Sequence, residues 1–398
     1  MKLTAGESAL DRVIRLQQRN CENCGGDDLE QLWRQSFTAR TRSGNYLFDI
    51  NNVICTNCGF VFVSPVFDEA DIADYYAGSF SAFADAAPDY DIAKRLAFLD
   101  KVAPRGDLFI EVGANRPTAF HRRLKEIYGK VKTVEINDSV SSDFPSLQAL
   151  HDDCVDVVAH YFVLEHIPRV TKFLENCHRV LREGGVMVCE VPDIHIYPDN
   201  PTALLLYEHT NHFSRRILCE IASQVGFDAL KIDSSLCSRH FGFAAAFRKS
   251  AVQSKRTAPS EYKKNRERFL KGVKELERLR VDMELAGEKL KQYKRHDASV
   301  IFWAANDLMA RFLDQYPSLH DLTIVDSNPE KADFFRESTV LMPSAAAAQI
   351  KKADAIFIFT RLHADEILNQ IELSIGKKFE PDHVHVVDPF GDVLPRCV

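Results

Sequence analysis

The chain has 398 residues, 45% of them hydrophobic and 27% charged, a composition typical of a globular protein with two or three folding units. No apolar run is long enough to cross a bilayer, and residues 1–20 lack the apolar core of a signal peptide, so we expect a soluble, cytoplasmic protein without membrane contact. A net charge of -7 disfavours nucleic acid as a partner and favours a small-molecule substrate. Within residues 1–20, helical spacing is seen at Leu10, Val13, Ile14 and Leu16.

Two C-x-x-C pairs, each followed by glycine, come first along the chain. They are Cys21 with Cys24 and Cys55 with Cys58. Four thiolates suit tetrahedral Zn²⁺, and a closed shell of four sulfurs leaves no open position for chemistry, so the pattern predicts a structural zinc site. The alternative, four buried or redox-active thiols, is disfavoured by the pairing in a reducing compartment. We predict that residues 1–89 form a zinc-binding module.

Apolar strands alternate with amphipathic helices in the next segment, residues 90–250. The predicted strands are DLFIEVG, VKTVEI, VDVVAHYFVLEH and GGVMVCEVP, with helices over 120–128 and 170–181 between them. This alternation predicts a mostly parallel sheet covered by helices on both faces.

The rest of the chain contains a charged helical stretch and a second alternating region. Residues 251–297 are rich in Lys, Arg and Glu with apolar residues at near-helical spacing, which indicates a long helical linker. Residues 298–398 contain four apolar runs, in ASVIFWAAND, DLTIVDSNPEK, ADAIFIFT and HVHVVDP, and predict a smaller C-terminal α/β domain with four strands.

Acidic residues and a glycine follow three predicted strands of the 90–250 segment. A strand-to-helix turn with glycine lets the backbone approach a ligand at the carboxyl edge of a parallel sheet, and an acidic residue at the next strand end can accept hydrogen bonds from ribose. A third strand ends in L-E-H. The predicted cofactor-binding residues are Glu111, Gly113, Asn115, Glu135, Glu165 and His166.

In order and spacing these motifs resemble those of class I methyltransferases, whose strands lead to E-x-G-x-G, an acidic strand end and a strand ending near L-E-H. The resemblance implies a Rossmann-like domain that binds S-adenosylmethionine. The family usually has further glycines where this chain has Asn115, Arg116 and Pro117, so the loop is poorer in glycine. Proline is favoured in the first turn of a helix.

The segment YEHTNHFS follows the fourth strand and concentrates titratable side chains. A carboxylate beside histidines offers a base, an acid and orienting partners within one short segment. The predicted catalytic residues are Tyr207, Glu208, His209 and His212.

With the cysteine pairs, this segment resembles the sugar C-methyltransferases that act on deoxysugars attached to thymidine diphosphate. That family has an E-H-x-x-[YH]-F-S segment, matched here from Glu208 to Ser214. VDSNPEK and HADEI are similar to stretches of its C-terminal domain, although Ala304 and the residues after it stand where the family has a glycine-rich turn. The resemblance covers nearly the whole chain and implies a second Rossmann-like domain at the C-terminus and a nucleotide-linked sugar as substrate, with a monomer or homodimer expected.

The sequence does not decide which atom of the acceptor is methylated. If the acceptor is a 4-keto sugar, His209 removes the proton beside the ketone while Tyr207 or Glu208 supports the enolate. If it is a hydroxyl or amine of another small molecule or glycan, the same histidine is the base for oxygen or nitrogen.

Two other classes of function compete with a methyltransferase. A methyltransferase fold with a glycine-poor loop can be a non-catalytic scaffold that has lost cofactor binding. A zinc ribbon can also bind nucleic acid, here through Arg34, Arg40 and Arg42 between the cysteine pairs, but the acidic net charge argues against it.

Overall fold

The computed structural model describes most of the chain. The described residues are 12–13, 15–41, 44–68, 71–72, 75–76, 91–103, 105–114, 118–136, 141–201, 204, 208–251, 259–316, 319, 322–333, 335, 338–360, 363–376 and 383–387. They fall into two compact units: one contains residues 11–37 and 46–273, and the other contains residues 38–45 and the chain from Lys274 onward. The predicted boundaries after residues 89, 250 and 297 stay predictions.

A five-stranded sheet carries the cysteine pairs. Its strands are β1 (Arg12–Val13), β3 (Leu29–Thr41), β4 (Gly44–Cys55), β5 (Val61–Val63) and β11 (Asn211–His212), and β2 (Leu16–Gln17) pairs separately with β6 (Val66–Phe67). The strand order in this sheet is β1-β4-β5-β11, and β3 also pairs with β4. Strand β11 belongs to the YEHTNHFS segment and pairs antiparallel with β5, so this segment completes the N-terminal sheet.

The central sheet has six strands in the order β12-β13-β10-β9-β7-β8. They are β7 (Leu108–Val112), β8 (Lys130–Val134), β9 (Val155–Tyr161), β10 (Leu181–Pro192), β12 (Phe227–Asp233) and β13 (Gly242–Lys249). The four strands β8, β7, β9 and β10 are parallel, whereas β13 is antiparallel to both β10 and β12. The carboxyl ends of β7, β8 and β9 therefore meet at one edge of the sheet.

Helices cover this sheet because their apolar residues recur every three or four positions. They are α1 (Ile92–Val102), α2 (Ala119–Leu124), α3 (Val170–Val180) and α4 (Arg215–Val225). In α3 the buried residues Val170, Leu174 and Cys177 form one stripe, while all seven residues of β9 are buried, as expected for a central parallel strand.

A long helix and a parallel sheet make up the remainder. Helix α5 (Tyr262–Arg295) leads to a five-stranded parallel sheet in the order β16-β15-β14-β17-β18. Its strands are β14 (Val300–Trp303), β15 (Thr323–Val325), β16 (Thr339–Leu341), β17 (Ala355–Ile358) and β18 (Val384–Val386), with helices α6 (Asp307–Gln315), α7 (Ala347–Lys352) and α8 (Ala364–Ile375) between them. No helix among the described residues is long and apolar enough to span a membrane.

The predicted fold class is confirmed: an α/β chain with a Rossmann-like central domain, a four-cysteine module before it and a parallel α/β sheet after it. The helical spacing at the N-terminus does not produce a helix where the structure describes it, because Val13 lies in β1 and Leu16 in β2, which pair with β4 and β6. Leu10 and Ile14 lie outside the described residues. The C-terminal sheet has a fifth strand, β16, that the sequence did not predict.

Candidate functional site

The four paired cysteines converge. Their sulfur atoms all lie within 4.8 Å of one another, with Cys21 Sγ 3.5 Å from Cys58 Sγ and Cys24 Sγ 3.4 Å from Cys55 Sγ. Zinc–sulfur bonds of about 2.3 Å in a tetrahedron place the sulfurs about 3.8 Å apart, so the donor set fits Zn²⁺ with small adjustments. Side-chain hydrogen bonds from Cys21 and Cys58 lower the pKa of the Cys55 thiol.

The two cysteine turns have the same backbone design. Gly25 N donates to Cys21 O over 2.7 Å, and Gly59 N donates to Cys55 O over 2.9 Å. Both glycines have positive φ, 78° and 86°, a region that favours glycine. This shared geometry brings both pairs of sulfurs to one point, and four sulfur ligands leave no coordination position for a substrate.

The first cysteine turn is joined to the helices of the central domain by polar contacts. Glu22 Oε2 accepts a hydrogen bond from Thr171 N in the first turn of α3, over 2.8 Å. Asn23 Nδ2 donates to Glu220 Oε2 of α4 over 2.8 Å, and its carbonyl accepts from Gln224 Nε2. The cysteine module is therefore part of the same compact unit as the central sheet.

Arg19 links this module to the segment that carries the predicted catalytic residues. Its Nη2 donates to Thr210 O over 2.7 Å and to Asn211 Oδ1 over 3.0 Å, and its Nε donates to Val63 O over 2.9 Å. Its Nη1 donates to Pro168 O. Burial lowers the pKa of Arg19 to about 10, so the guanidinium remains charged at neutral pH.

A cavity of about 540 Å³ opens at the carboxyl edge of the central sheet, within the range of small-molecule sites. Gly113 and Glu135 line it, as predicted, because they follow the neighbouring parallel strands β7 and β8. Gly113 has φ 72°, and a Cβ there would lie 2.5 Å from Val163 Cγ2, so this turn requires glycine. Apolar residues near Glu135 complete this part of the cavity: Val134, Ile136 and Leu147.

Glu111 of the predicted cofactor turn does not line this cavity. Glu111 is 5% exposed, and its Oε2 lies 3.2 Å from Nε2 of His121 on α2. Asn115 lies outside the described residues. Helix α2 begins at Ala119, after its N-cap residue Thr118, which accepts a hydrogen bond from Phe120 N, and Pro117 lies outside the described residues.

Three polar side chains from separate segments line the same cavity: Tyr76, His166 and Glu208. Tyr75 OH donates to Glu208 Oε1, which positions that carboxylate. Burial and the nearby charges of Glu208, Glu165 and Glu135 raise the pKa of Tyr76 well above its usual value, so it remains a hydrogen-bond donor. Burial lowers the pKa of His166 to about 4, so its imidazole is neutral at pH 7.

Glu165, His166 and His209 form a cluster in which His166 lines the cavity and the other two residues are buried. Glu165 Oε1 lies 3.9 Å from His166 Nε2 and 4.0 Å from His209 Nε2, and the two imidazole rings meet edge to face with centroids 4.8 Å apart. Glu165 is 0% exposed and His209 is 3% exposed, so neither lines the cavity. Burial raises the pKa of Glu165 to about 8.

Backbone contacts hold the cluster together. Thr210 N donates to Glu165 O over 2.8 Å, and Asn211 Nδ2 donates to Ile167 O over 2.8 Å. The segment from His209 onward is thus fixed on the 3-10 turn Leu164–His166 that follows β9. These contacts explain why residues that are far apart in sequence meet.

His212 is placed differently from His209. Tyr197 OH donates to its Nδ1 over 2.8 Å, and its Nε2 donates to Asn52 Oδ1 over 2.8 Å, so both ring nitrogens are engaged within the protein. Burial lowers its pKa to about 3. It lies in β11 and does not line the cavity, and Tyr207 lies outside the described residues.

Tyr75 and Tyr76 were not predicted from the sequence, and they lie beside the predicted catalytic segment although they come from the N-terminal part of the chain. Arg169 and Lys172, which line the cavity from the start of α3, were not predicted either. The adjacent tyrosines and the charges after L-E-H-I-P were visible signals, but nothing in the sequence placed the tyrosines near the sheet edge.

Comparison with known proteins identifies the domain around this cavity. Residues 112–189 match the family model described as "Methyltransferase domain". These residues form a class I methyltransferase domain. A protein of Mycolicibacterium smegmatis described as "Probable S-adenosylmethionine-dependent methyltransferase/" is 36% identical over 80 residues, which cover 20% of this chain and 31% of that protein. The chain thus spans about a third of the length of the relative that it matches.

The solved structures that are similar to part of this chain include two methyltransferases. One is the 1,6-didemethyltoxoflavin-N1-methyltransferase of Burkholderia thailandensis, at 14% identity and a TM-score of 0.36, with 50% of this chain and 98% of that chain covered. Another is an S-adenosylmethionine-dependent methyltransferase of Mesorhizobium loti, at 14% identity and a TM-score of 0.33, with 40% of this chain and 100% of that chain covered.

Proposed function

We propose that the protein transfers a methyl group from S-adenosylmethionine to a sugar, most simply one carried on a nucleotide. The observation that carries this proposal is the single cavity that joins Gly113 and Glu135 with Tyr76, His166 and Glu208. The first two residues follow strands that bind the nucleoside of a cofactor in folds of this kind, and the other three provide polar groups for an acceptor.

In this proposal Glu135 accepts hydrogen bonds from the ribose hydroxyls, and the backbone at Gly113 lies against the amino-acid part of the cofactor. Bound S-adenosylmethionine supplies the electrophilic methyl group. Ile136 is 61% exposed and lines the cavity, so it offers an apolar surface for the adenine. Because these groups are already in place, the glycine-poor loop after Gly113 does not prevent binding.

We propose His209 as the general base. It follows Glu208 in the chain and lies behind His166, outside the cavity lining, so in this proposal His166 passes the acceptor's proton to it. Proton removal leaves an electron pair on the acceptor carbon, oxygen or nitrogen, and this atom attacks the methyl group as its bond to sulfur breaks. Tyr76 and Glu208 line the cavity and can orient the acceptor. The resemblance of the YEHTNHFS segment to sugar C-methyltransferases favours carbon beside a ketone.

Zinc is proposed for the four-cysteine cluster, where the sulfur geometry fits a closed shell. Its part is structural, since Cys21, Cys24, Cys55 and Cys58 hold the strands on which β11 pairs. We expect a small-molecule acceptor, no nucleic-acid partner, and a monomer or homodimer.

Three measurements test the proposed function. Ligands retained through purification are identified by mass spectrometry, and a nucleotide sugar is the expected finding. S-adenosylmethionine is titrated calorimetrically, where the absence of saturable binding would indicate a non-catalytic scaffold. The protein is then incubated with methyl-labelled cofactor and either a 4-keto or a hydroxylated nucleotide sugar, and the position of the label on the product distinguishes methylation on carbon from methylation on oxygen.

A further inference from the structure

We propose that Glu165 is a positioning residue that balances the charge of the general base, so that a proton taken from the acceptor is held as an imidazolium–carboxylate pair. This inference rests on the proposed function, since it assumes that a histidine of the cluster takes that proton. The observation behind it is that Nε2 of both His166 and His209 faces Glu165 Oε1, at 3.9 Å and 4.0 Å.

Burial makes such a partner necessary. The His209 side chain is 2% exposed, so an imidazolium formed there has almost no water to solvate it. A positive charge in such surroundings is costly unless an opposite charge lies within a few ångströms. The Glu165 side chain is 1% exposed and lies at that distance.

Glu165 is available for this role in the described structure. Neither carboxylate oxygen accepts a hydrogen bond from the side chain or backbone of another described residue. Its own carbonyl oxygen accepts from Thr210 N over 2.8 Å, which holds the turn but leaves the carboxylate to the histidines. A carboxylate that is buried in this way, without a compensating donor, is expensive to keep unless it serves another group.

The charged and titratable groups around Glu165 act in opposite directions. Burial opposes ionisation of Glu165 most strongly and the charge of Glu190 adds to this effect, whereas the charge of Arg239 favours the ionised form, and the resulting pKa is about 8. Groups on the surrounding elements that interact electrostatically with Glu165 are Tyr76, Cys189, Glu190, Tyr197 and Arg239, in addition to His166 and His209. Below pH 8 the carboxyl group is mainly protonated and cannot balance an imidazolium.

The proposed reaction conserves protons and electrons. The acceptor loses a proton to the imidazole, and its electron pair forms the bond to the methyl group. The cofactor sulfonium becomes a neutral thioether, and the imidazolium formed beside ionised Glu165 later releases its proton to water. The active form has neutral imidazole and ionised Glu165, so the rate rises with pH through about 8 and falls as pH decreases below it.

The test compares the wild-type protein with Glu165→Gln, which keeps the shape of the side chain and removes its charge. We expect kcat/KM of the wild type to rise with pH to a plateau above about 8. The variant should lose about a hundredfold or more at the plateau and lose this pH dependence, while cofactor affinity is unchanged. Glu175→Gln is the matched control, because Glu175 is exposed on α3 outside the cavity.

A readout that needs no substrate separates this inference from the proposed function. The histidine ring signals of isotope-labelled protein are followed by NMR from pH 5 to 10. Ionisation of Glu165 should shift the His166 and His209 signals near pH 8 in the wild type but not in Glu165→Gln. If the histidine signals shift near pH 8 but no sugar is methylated, the proposed function is wrong, and the electrostatic coupling between Glu165 and the histidines is still supported.

Two results would overturn the inference. One is that Glu165→Gln has the same pH profile and the same rate as the wild type. The other is a stoichiometric divalent cation, beyond the zinc of the cysteines, that binds the wild type but not Glu165→Gln. The atoms Glu165 Oε1, His166 Nε2 and His209 Nε2 lie close enough for three metal ligands, and such a cation would make the cluster a metal site instead of a proton acceptor.

Discussion

The four-cysteine cluster and the Glu165 cluster are both compact groups of buried polar side chains in the same unit, but they arise in different ways. In the first, a short turn fixes the relative positions of the two cysteines of each pair. The two turns have equivalent backbone hydrogen bonds and a glycine with positive φ at the same position. In the second, Glu165 and His166 follow β9, whereas His209 comes from a segment anchored on that turn by Thr210 and Asn211. Local backbone geometry builds the first cluster, and tertiary contacts build the second.

The first prediction breaks the local cluster. Cys55→Ser removes one thiolate, and we expect the zinc content to fall from one ion per chain to near none. Cooperative unfolding should also be lost, because binding of structural zinc contributes about 10 to 16 kcal/mol to folding in small zinc domains. Elemental analysis and a thermal scan measure both. Cys154→Ser is the control, since Cys154 is exposed and outside the cluster. Full zinc content in Cys55→Ser would contradict the assigned ligand set.

The second prediction breaks the tertiary cluster. His209→Asn removes the proposed base and should lower kcat about a hundredfold to ten-thousandfold, with cofactor affinity and melting temperature near those of the wild type. Deuterium exchange at the carbon beside a ketone, without methyl donor, should also disappear. His151→Asn, at an exposed histidine, serves as the control.

Other outcomes for His209→Asn have separate meanings. A wild-type rate of methylation would transfer the role to His166, which lines the cavity. If methylation fails while deuterium exchange persists, His209 positions the acceptor without taking its proton.

The third prediction tests the connection between the clusters. Arg19→Met removes the hydrogen-bond donors to the carbonyl oxygens of Val63, Pro168 and Thr210. We expect the free energy of unfolding to fall by about 2 to 3 kcal/mol. We also expect KM for the acceptor to rise more than KM for the cofactor. Denaturant titration and steady-state kinetics measure these effects. Arg34→Met is the control: the Arg34 side chain is 62% exposed and pairs with Asp49 in contact with solvent, so we expect little change in the free energy of unfolding or in KM. Equal losses in both variants would argue against a linking role.

The fourth prediction has the smallest expected effect and concerns the cofactor end of the cavity. Glu135→Ala should weaken S-adenosylmethionine binding by about 1 to 3 kcal/mol, because the ribose hydroxyls lose their acceptor, and calorimetric titration measures the change. Glu126→Ala is matched to it, since the Glu126 side chain is 64% exposed and outside the cavity. Unchanged affinity in Glu135→Ala would remove this residue from the site.

The sequence by itself determined the parts of this protein that depend on local geometry. Cysteine spacing predicted the four-sulfur cluster, and the strand ends at Gly113 and Glu135 predicted two residues of the cavity, because parallel strands bring their carboxyl ends to one edge. Long buried strands such as β9 were evident from their apolar runs. The short strands β1, β11 and β16 were not, because pairing with a neighbour, rather than the pattern of their own residues, makes them strands.

Only the tertiary structure decided which of the clustered titratable residues meet the cavity. YEHTNHFS contains Glu208, His209 and His212 within a few positions, yet Glu208 lines the cavity, His209 lies behind His166, and His212 is bonded to Tyr197 and Asn52. Pairing of β11 with β5 places His212 in the N-terminal sheet, whereas Thr210 and Asn211 anchor the segment before it on the turn that carries Glu165. The sequence lists such residues in order, but the packing of distant segments sets their burial, partners and charge.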